Sequence, residues 1–376
     1  MFESSSRPTI KPIYPVYRLD SETFRIGAQI GITAEFHDPD ATLWTLVSIM
    51  DGRTTAEIVQ EMTGRFPDLD EGDVLDGINL LHNEGFVEDG SGPSRIFGAR
   101  LQPNISYFSH FSSPEKSKYD VQNAIKDTNV LLLGLSGGGS NILTLLAGIE
   151  PKSITAVDYD RVEEGNLGRQ FIYREHDIGT LKTTAAANAL AEMNSNIAFH
   201  AVNEKIESPS QVTDLLHDND IAICAIDEPP FKAQRIVNKA CILAGKPCVY
   251  GASQVSHGRV FTIIPEETGC FDCLNIHYSQ RDPQFLSQFE GFAESKFDPP
   301  SIAYGPAMFT LSATIVDEVV RTITSYAPPR SHGLQLEVDY EDGSQSQHPS
   351  WPRFADLCPT CGAGDESQWP IFSLYG

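Results

Sequence analysis

The stretch NVLLLGLSGGGSNILTLLAGI, residues 129–149, constrains the fold of this chain more than any other. Asn129 to Leu133 reads as an apolar strand, Gly134 to Asn141 as a turn of small residues, and ILTLLAGI as an apolar helix. Strand, glycine-rich turn and helix in that order form the first half of a Rossmann-type βαβ unit. Gly134, Gly137, Gly138 and Gly139 let the backbone pass close to phosphates, and the helix N-terminus offers free N–H groups and a positive dipole end. A second strand, Ser153–Val157, ends at Asp158, and a carboxylate about 20 residues past such a loop can accept the ribose hydroxyls. Ser136 stands where a dinucleotide-binding loop keeps its second glycine, which counts against NAD or FAD. By itself the loop implies an adenine nucleotide and no more.

The next segment, DRVEEGNLGRQ (residues 160–170), gathers Asp160, Asn166, Arg169 and Gln170 just behind the ribose carboxylate. Hydride transfer has no use for these groups, whereas ATP chemistry does. An α-phosphate under attack gains negative charge, which Arg and Lys stabilise, and Arg can grip phosphate with two bonds. Lys182, in DIGTLKTTAA, supplies a second cation. Asp227 follows an apolar strand in AICAIDEPPFKAQ, and a hard cation such as Mg2+ takes that kind of oxygen ligand. Plainer roles compete. Asp158 and Asp160 could be turn formers, Arg169 a surface ion-pair partner, Lys182 a helix-surface lysine and Asp227 a helix cap. Asn166 and Gln170 either orient their neighbours or touch the nucleotide.

Taken together, the glycine loop, DRVEEGNLGRQ, Lys182 and Asp227 resemble the signature of the ubiquitin-activating-like ThiF/MoeB family. That resemblance implies a Rossmann-like adenylation domain that binds ATP. It assigns Asp158 to the ribose, Asp227 to Mg2+, and Arg169 and Lys182 to the triphosphate. Relatives also use an arginine from just before the first Rossmann strand, supplied by a second subunit; Arg100 in GARLQPN is the first choice and Arg95 the second. A homodimer is therefore expected.

Cysteines give a separate line of argument. Cys270 and Cys273 form one CxxC pair, and Cys358 and Cys361 form another 85 residues on (358 minus 273). Two such pairs suit a tetrahedral Zn2+ site in which each tight turn gives two thiolates. A redox dithiol is the weaker reading, since neither pair sits at a thioredoxin-like βα turn. Four sulfurs leave no open position, so the zinc is expected to be structural. Cys224, Cys241 and Cys248 sit in apolar surroundings and read as small core residues. Family members that pass substrate through a thioester carry a cysteine in the crossover after the first CxxC pair. The segment after Cys273, LNIHYSQRDPQFLSQFEGFAESKFDPPSIAYG, has none. This favours an enzyme that stops at an acyl-adenylate, or at what the adenylate becomes.

Residues 1–92 read as a separate module. Val16 to Phe36 alternates apolar and polar residues as short antiparallel strands do. Leu43, Leu46, Val47 and Met50 share one helical face. Thr54 to Glu57 is a capping box that opens a second helix, and a third runs from about Glu71 to Glu84 with Val74, Ile78, Leu80 and Leu81 as core. The pattern is that of a winged helix and resembles the PqqD-like family, which implies recognition of a precursor (leader) peptide as a strand added to a sheet edge. The competing uses are DNA binding and dimerisation. A DNA reader needs a basic helix, and EGDVLDGINLLHNE is acidic. Residues 93–120, rich in Ser, Pro and Gly, read as a linker, and 121–376 as the adenylation domain.

With 51 acidic against 27 basic residues and a formal charge of −24, general nucleic-acid or anionic-membrane binding is not expected. The N-terminal MFESSSRPTIKP has no apolar signal core, and a cytoplasmic enzyme is expected. The whole resembles the ThiF/MoeB-type enzymes that mature ribosomally made peptide antibiotics. It leans toward the branch that activates carboxylate side chains, glutamate above all, for dehydration and cyclisation. Microcin C-type AMP transfer to a peptide, adenylation of a sulfur-carrier protein and a non-catalytic leader-binding scaffold are the alternatives.

Overall fold

In the computed structural model, the described residues are 2–226, 228–229, 231–282, 284–295 and 302–373. Contacts divide the chain into two compact units, residues 1–124 and 125–376.

The first unit contains β1 (Pro8–Ile10), β2 (Val16–Arg18), β3 (Thr23–Ile26), β4 (Ala34–His37), α1 (Thr42–Ile49), α2 (Thr55–Arg65), α3 (Glu71–Asn83), β5 (Val87–Asp89) and α4 (Gln102–Ser109). β2, β3 and β4 form an antiparallel sheet with β2 and β4 outermost, and β1 pairs with β5. Alternation puts Phe24 and Ile26 of β3 into a core with Leu46, Ile58, Met62, Ile78 and Leu81. α2 opens with the reciprocal Thr54–Glu57 capping box, and α3 uses Asp70 and Asp73 in the same way. Leu80, assigned to the core from the sequence, is instead 45% exposed. At 100° per residue, Val74, Ile78 and Leu81 share a face and Leu80 turns away from it. The stretch read as a linker carries α4, and Phe97, Leu101 and Ile105 make a small core with Tyr119. The spacing of Leu101 and Ile105 is helical, a signal hidden by the Ser, Pro and Gly around them.

Helix α5 (Lys118–Asp127) leads to β6 (Asn129–Leu133), α6 (Gly137–Ile149), β7 (Ser153–Val157), α7 (Lys182–Met193), β8 (Ala198–Val202), α8 (Pro209–Leu216), β9 (Ile221–Cys224), α9 (Lys232–Ala244), β10 (Cys248–Ser253), β11 (His257–Ile263), α10 (Phe271–Arg281), α11 (Gln284–Ser295), α12 (Gly305–Thr324), β12 (Gln335–Asp339), β13 (Gln345–Gln347) and α13 (Pro370–Ser373). One sheet runs β13-β12-β11-β10-β9-β6-β7-β8. β8, β7, β6, β9 and β10 are parallel, and β11 to β13 extend the sheet antiparallel. The chain therefore starts at β6, winds out to β8, and returns past β6 to β9 and β10. This order makes the gap between β6 and β9 the topological switch point, where open α/β sheets bind ligands at their carboxyl ends. Apolar residues line both faces of the parallel strands. Val130, Leu132 and Ile154 pack to one side, and Leu131, Leu133 and Val157 to the other.

Candidate active site

At that switch point a cleft of about 930 Å3 opens, lined from the second unit alone. The glycine loop closes its floor. Gly134 has φ +96°, and a Cβ there would lie 2.6 Å from the Ala225 carbonyl oxygen. A Cβ on Gly139 would lie 1.9 Å from the Gly134 oxygen. These two glycines are demanded by the chain itself, one by conformation and the other by helix-to-strand packing. A Cβ on Gly138, by contrast, would meet nothing, although Gly137 and Gly138 line the cleft. Helix α6 begins there without a side-chain cap, and the first N–H groups of a helix lack intrahelical acceptors.

Asp158, at the end of β7, is 8% exposed. Its two oxygens accept from the amides of Leu135 (2.7 Å) and Asp160 (2.8 Å), which fixes the carboxylate against the loop. Tyr173, buried, donates its hydroxyl to the Leu135 carbonyl at 2.9 Å, and burial raises its pKa above the ordinary range. Residues 160–162 and 179–182 run antiparallel. Val162 donates to Thr180, Gly179 to Val162, and Lys182 to the Asp160 carbonyl. The ladder sets the Lys182 side chain beside the loop, where Nζ bonds Asp160 Oδ2 at 2.8 Å and Ser136 Oγ at 2.9 Å.

Asn166 accepts from the Glu163 amide at 3.0 Å and so shapes the turn that carries Arg169 and Gln170. Arg169 lines the cleft, with its guanidinium on the Gly165 carbonyl. Asn141, which the sequence reading passed over, donates to the carbonyls of Gly137 (2.9 Å) and Arg169 (3.1 Å) and so ties α6 to this turn. Gln170 also lines the cleft and is 1% exposed. Among the described residues neither end of its amide has a partner. An orphaned buried amide costs about 1–3 kcal/mol. Asp227 lies outside the described residues, but its neighbours Ile226 and Glu228 line the cleft.

The lining joins charged side chains, Asp158, Asp160, Arg169, Lys182, Glu204 and Lys205, with uncharged ones such as Ser253, Val255 and Met308, and Met308 of α12 lies beside Gly137, as does Arg169. Arg100 belongs to the first unit and is exposed, on the turn Ala99–Leu101.

The four CxxC cysteines come together, with all sulfurs within 4.8 Å of one another. Cys270 and Cys358 are 3.5 Å apart and Cys273 and Cys361 3.3 Å apart. A tetrahedron with Zn–S arms near 2.3 Å has edges of about 3.8 Å, so the set fits such a cation. Burial holds the Cys270 thiol well above its ordinary pKa, a cost that a bound cation reverses.

The model of the ThiF family matches residues 107–360. The chain belongs to the ThiF family. Two curated relatives show the sequence likeness of this ThiF-family protein. The probable adenylyltransferase/sulfurtransferase MoeZ of Mycobacterium tuberculosis is 28% identical over 279 residues, 72% of this chain and 66% of MoeZ. The molybdopterin-synthase adenylyltransferase of Escherichia coli is 30% identical over 159 residues, 42% of this chain and 62% of the relative. The match thus spans just under two thirds of either relative's length. Among solved structures, Escherichia coli MccB with ATP aligns with a TM-score of 0.72 at 20% identity, over 94% of this chain and 99% of MccB. PaaA aligns with a TM-score of 0.69 at 19% identity, over 91% and 99%. At such identities the likeness is one of fold: Rossmann-like, as read from the sequence. The ThiF family is a family of adenylating enzymes, which agrees with the ATP chemistry inferred from DRVEEGNLGRQ.

Proposed function

We propose that this protein uses MgATP to adenylate a carboxylate of a ribosomally made peptide whose leader is held by the first unit. The observation that carries the ATP part is the convergence of the uncapped N-terminus of α6 with Arg169 and Lys182 on one cleft at the switch point. A triphosphate laid along Gly137 and Gly138 supplies acceptors for the Gln170 N–H, for Arg169 and for Lys182. Asp158 takes the ribose hydroxyls. Asp227 is the residue assigned to Mg2+, which when bound neutralises charge on the triphosphate. A carboxylate oxygen of the peptide attacks the α-phosphorus, the bond to the bridging oxygen breaks, and pyrophosphate leaves with that electron pair. Lys182 and Arg169 stabilise the charge as it builds.

A nitrogen of the peptide then attacks the acyl carbon, the acyl C–O bond breaks, and AMP leaves with that oxygen as the nitrogen gives up its proton. Transfer to an enzyme cysteine is disfavoured, because Cys224, Cys241 and Cys248 are at most 1% exposed. In the first unit, the outer strands β2 and β4 offer edges on which an extended leader could add as a strand. The acidic face of α3 favours peptide over DNA. The four cysteines hold structural zinc. The protein acts as a homodimer, with Arg100 offered to a second copy's triphosphate. Activation of glutamate side chains with cyclisation is the preferred outcome. Transfer of AMP to the peptide is the second, favoured by the MccB structures solved with MccA peptide.

To test this, the full chain is used to retain peptides from a library, and these are weighed before and after MgATP. Loss of water supports the preferred outcome and gain of AMP the second. No mass change, with no peptide-dependent exchange of pyrophosphate into ATP, overturns both.

A further inference from the structure

Lys182 is awkwardly placed for an ordinary lysine. It is the first residue of α7, where the helix dipole disfavours a cation. The first turn of α7 contains no acidic residue, and Lys182 is 3% exposed. Two groups from elsewhere in the chain offset the cost: Asp160 at 2.8 Å and the Ser136 hydroxyl at 2.9 Å. Ser136 holds the N-cap position of α6, in extended backbone, where a serine normally turns its oxygen onto the helix's own amides. Here it makes no such bond. The hydroxyl is turned instead to a lysine 46 residues away. The backbone of this residue, φ −79° and ψ −151°, places no demand for glycine.

We propose that Ser136 is a positioning residue. With Asp160 it clamps the Lys182 ammonium at a fixed point over the first turn of α6, so that the charge is already in place when the triphosphate arrives. The departure from glycine at this point of the loop is thereby a working part of the site. The proposal rests on the reading of the cleft as a triphosphate site.

A double-mutant cycle on the full chain tests it, with calorimetric binding of MgATP as the first readout and pyrophosphate exchange as the second. Ser136→Ala and Ser136→Gly are each combined with Lys182→Ala, and melting temperature checks the fold. Losing one hydrogen bond to a charged group predicts about a tenfold loss of ATP affinity or of exchange rate for Ser136→Ala. In the Lys182→Ala background the same change should cost less than twofold. An equal loss in both backgrounds, or no loss from Ser136→Ala alone, overturns the clamp, as does an acyl ester trapped on Ser136. Binding without any exchange would overturn adenylation while leaving the clamp judged by the binding cycle. Failure of the parent chain to bind MgATP would sink both.

Discussion

Two buried cations in the second unit, Lys182 and Arg235, make an instructive pair. Arg235 on α9 is 7% exposed and saturated. Its Nε and Nη2 reach Asp272 at 3.0 and 3.1 Å, its Nη1 reaches Glu366 at 2.6 Å, and its guanidinium lies 4.0 Å from the Phe372 ring centre. Thr360 completes Asp272 at 2.6 Å. Asp272 and Thr360 each lie inside a CxxC pair, so this network joins the two cysteine turns. Lys182 has two partners, lines an open cleft, and is accompanied by an orphaned amide. A closed network of charges holds a fold together, and one left open toward a cavity is prepared for a ligand.

The comparison breaks or sharpens under five changes. The largest effect is expected from Cys358→Ser. With the proposed structural zinc, loss of one thiolate should abolish Zn2+ binding and lower the melting temperature by more than about 10 °C, because structural zinc binding is folding free energy. Metal analysis with calorimetry checks it, and a full metal content would contradict it. Arg235→Ala leaves the fully buried Asp272 unpaired and should destabilise by about 3–5 kcal/mol, with kcat/KM of the folded fraction within twofold, read by denaturant melts and exchange assays. Lys182→Ala should do the reverse. Exchange falls about 100-fold, roughly 2.7 kcal/mol, while the melting temperature moves little, because Asp160 is 43% exposed and rehydrates. Gln170→Ala sits lower still, at about tenfold in ATP affinity, since it removes one amide.

The smallest effect concerns acid. The hydrogen bond from Arg235 is the main cause holding the Glu366 carboxyl at about 2 against an ordinary 4.5. A depressed carboxyl contributes stability above its unfolded value, and that contribution is lost as pH falls from about 4.5 toward 2. The group is 43% exposed, so solvent screens the effect. Glu366→Gln should slightly flatten this acid limb in melting curves taken across that window. An unchanged limb would separate Glu366 from the network.

What the sequence made legible follows from distance along the chain. The glycine loop and the CxxC turns are contiguous motifs whose chemistry is local, and both stand where their spacing placed them. The bond from Ser136 to Lys182 spans 46 residues and that from Arg235 to Glu366 spans 131. No local pattern announces either, although a lysine opening a helix was a visible anomaly. Asn141 was hidden because an Asn in a glycine-rich turn reads as a turn former. Leu80 was misassigned because an apolar pair at 80–81 cannot place both side chains on one helical face.

The account stands on a carboxylate oxygen attacking the α-phosphorus of ATP. The most direct test supplies the retained peptide with 18O in its carboxylates and weighs the nucleotide products after one turnover. The account predicts one 18O atom in the released AMP, with pyrophosphate as the other product. Label appearing in inorganic phosphate, with ADP formed, would contradict it.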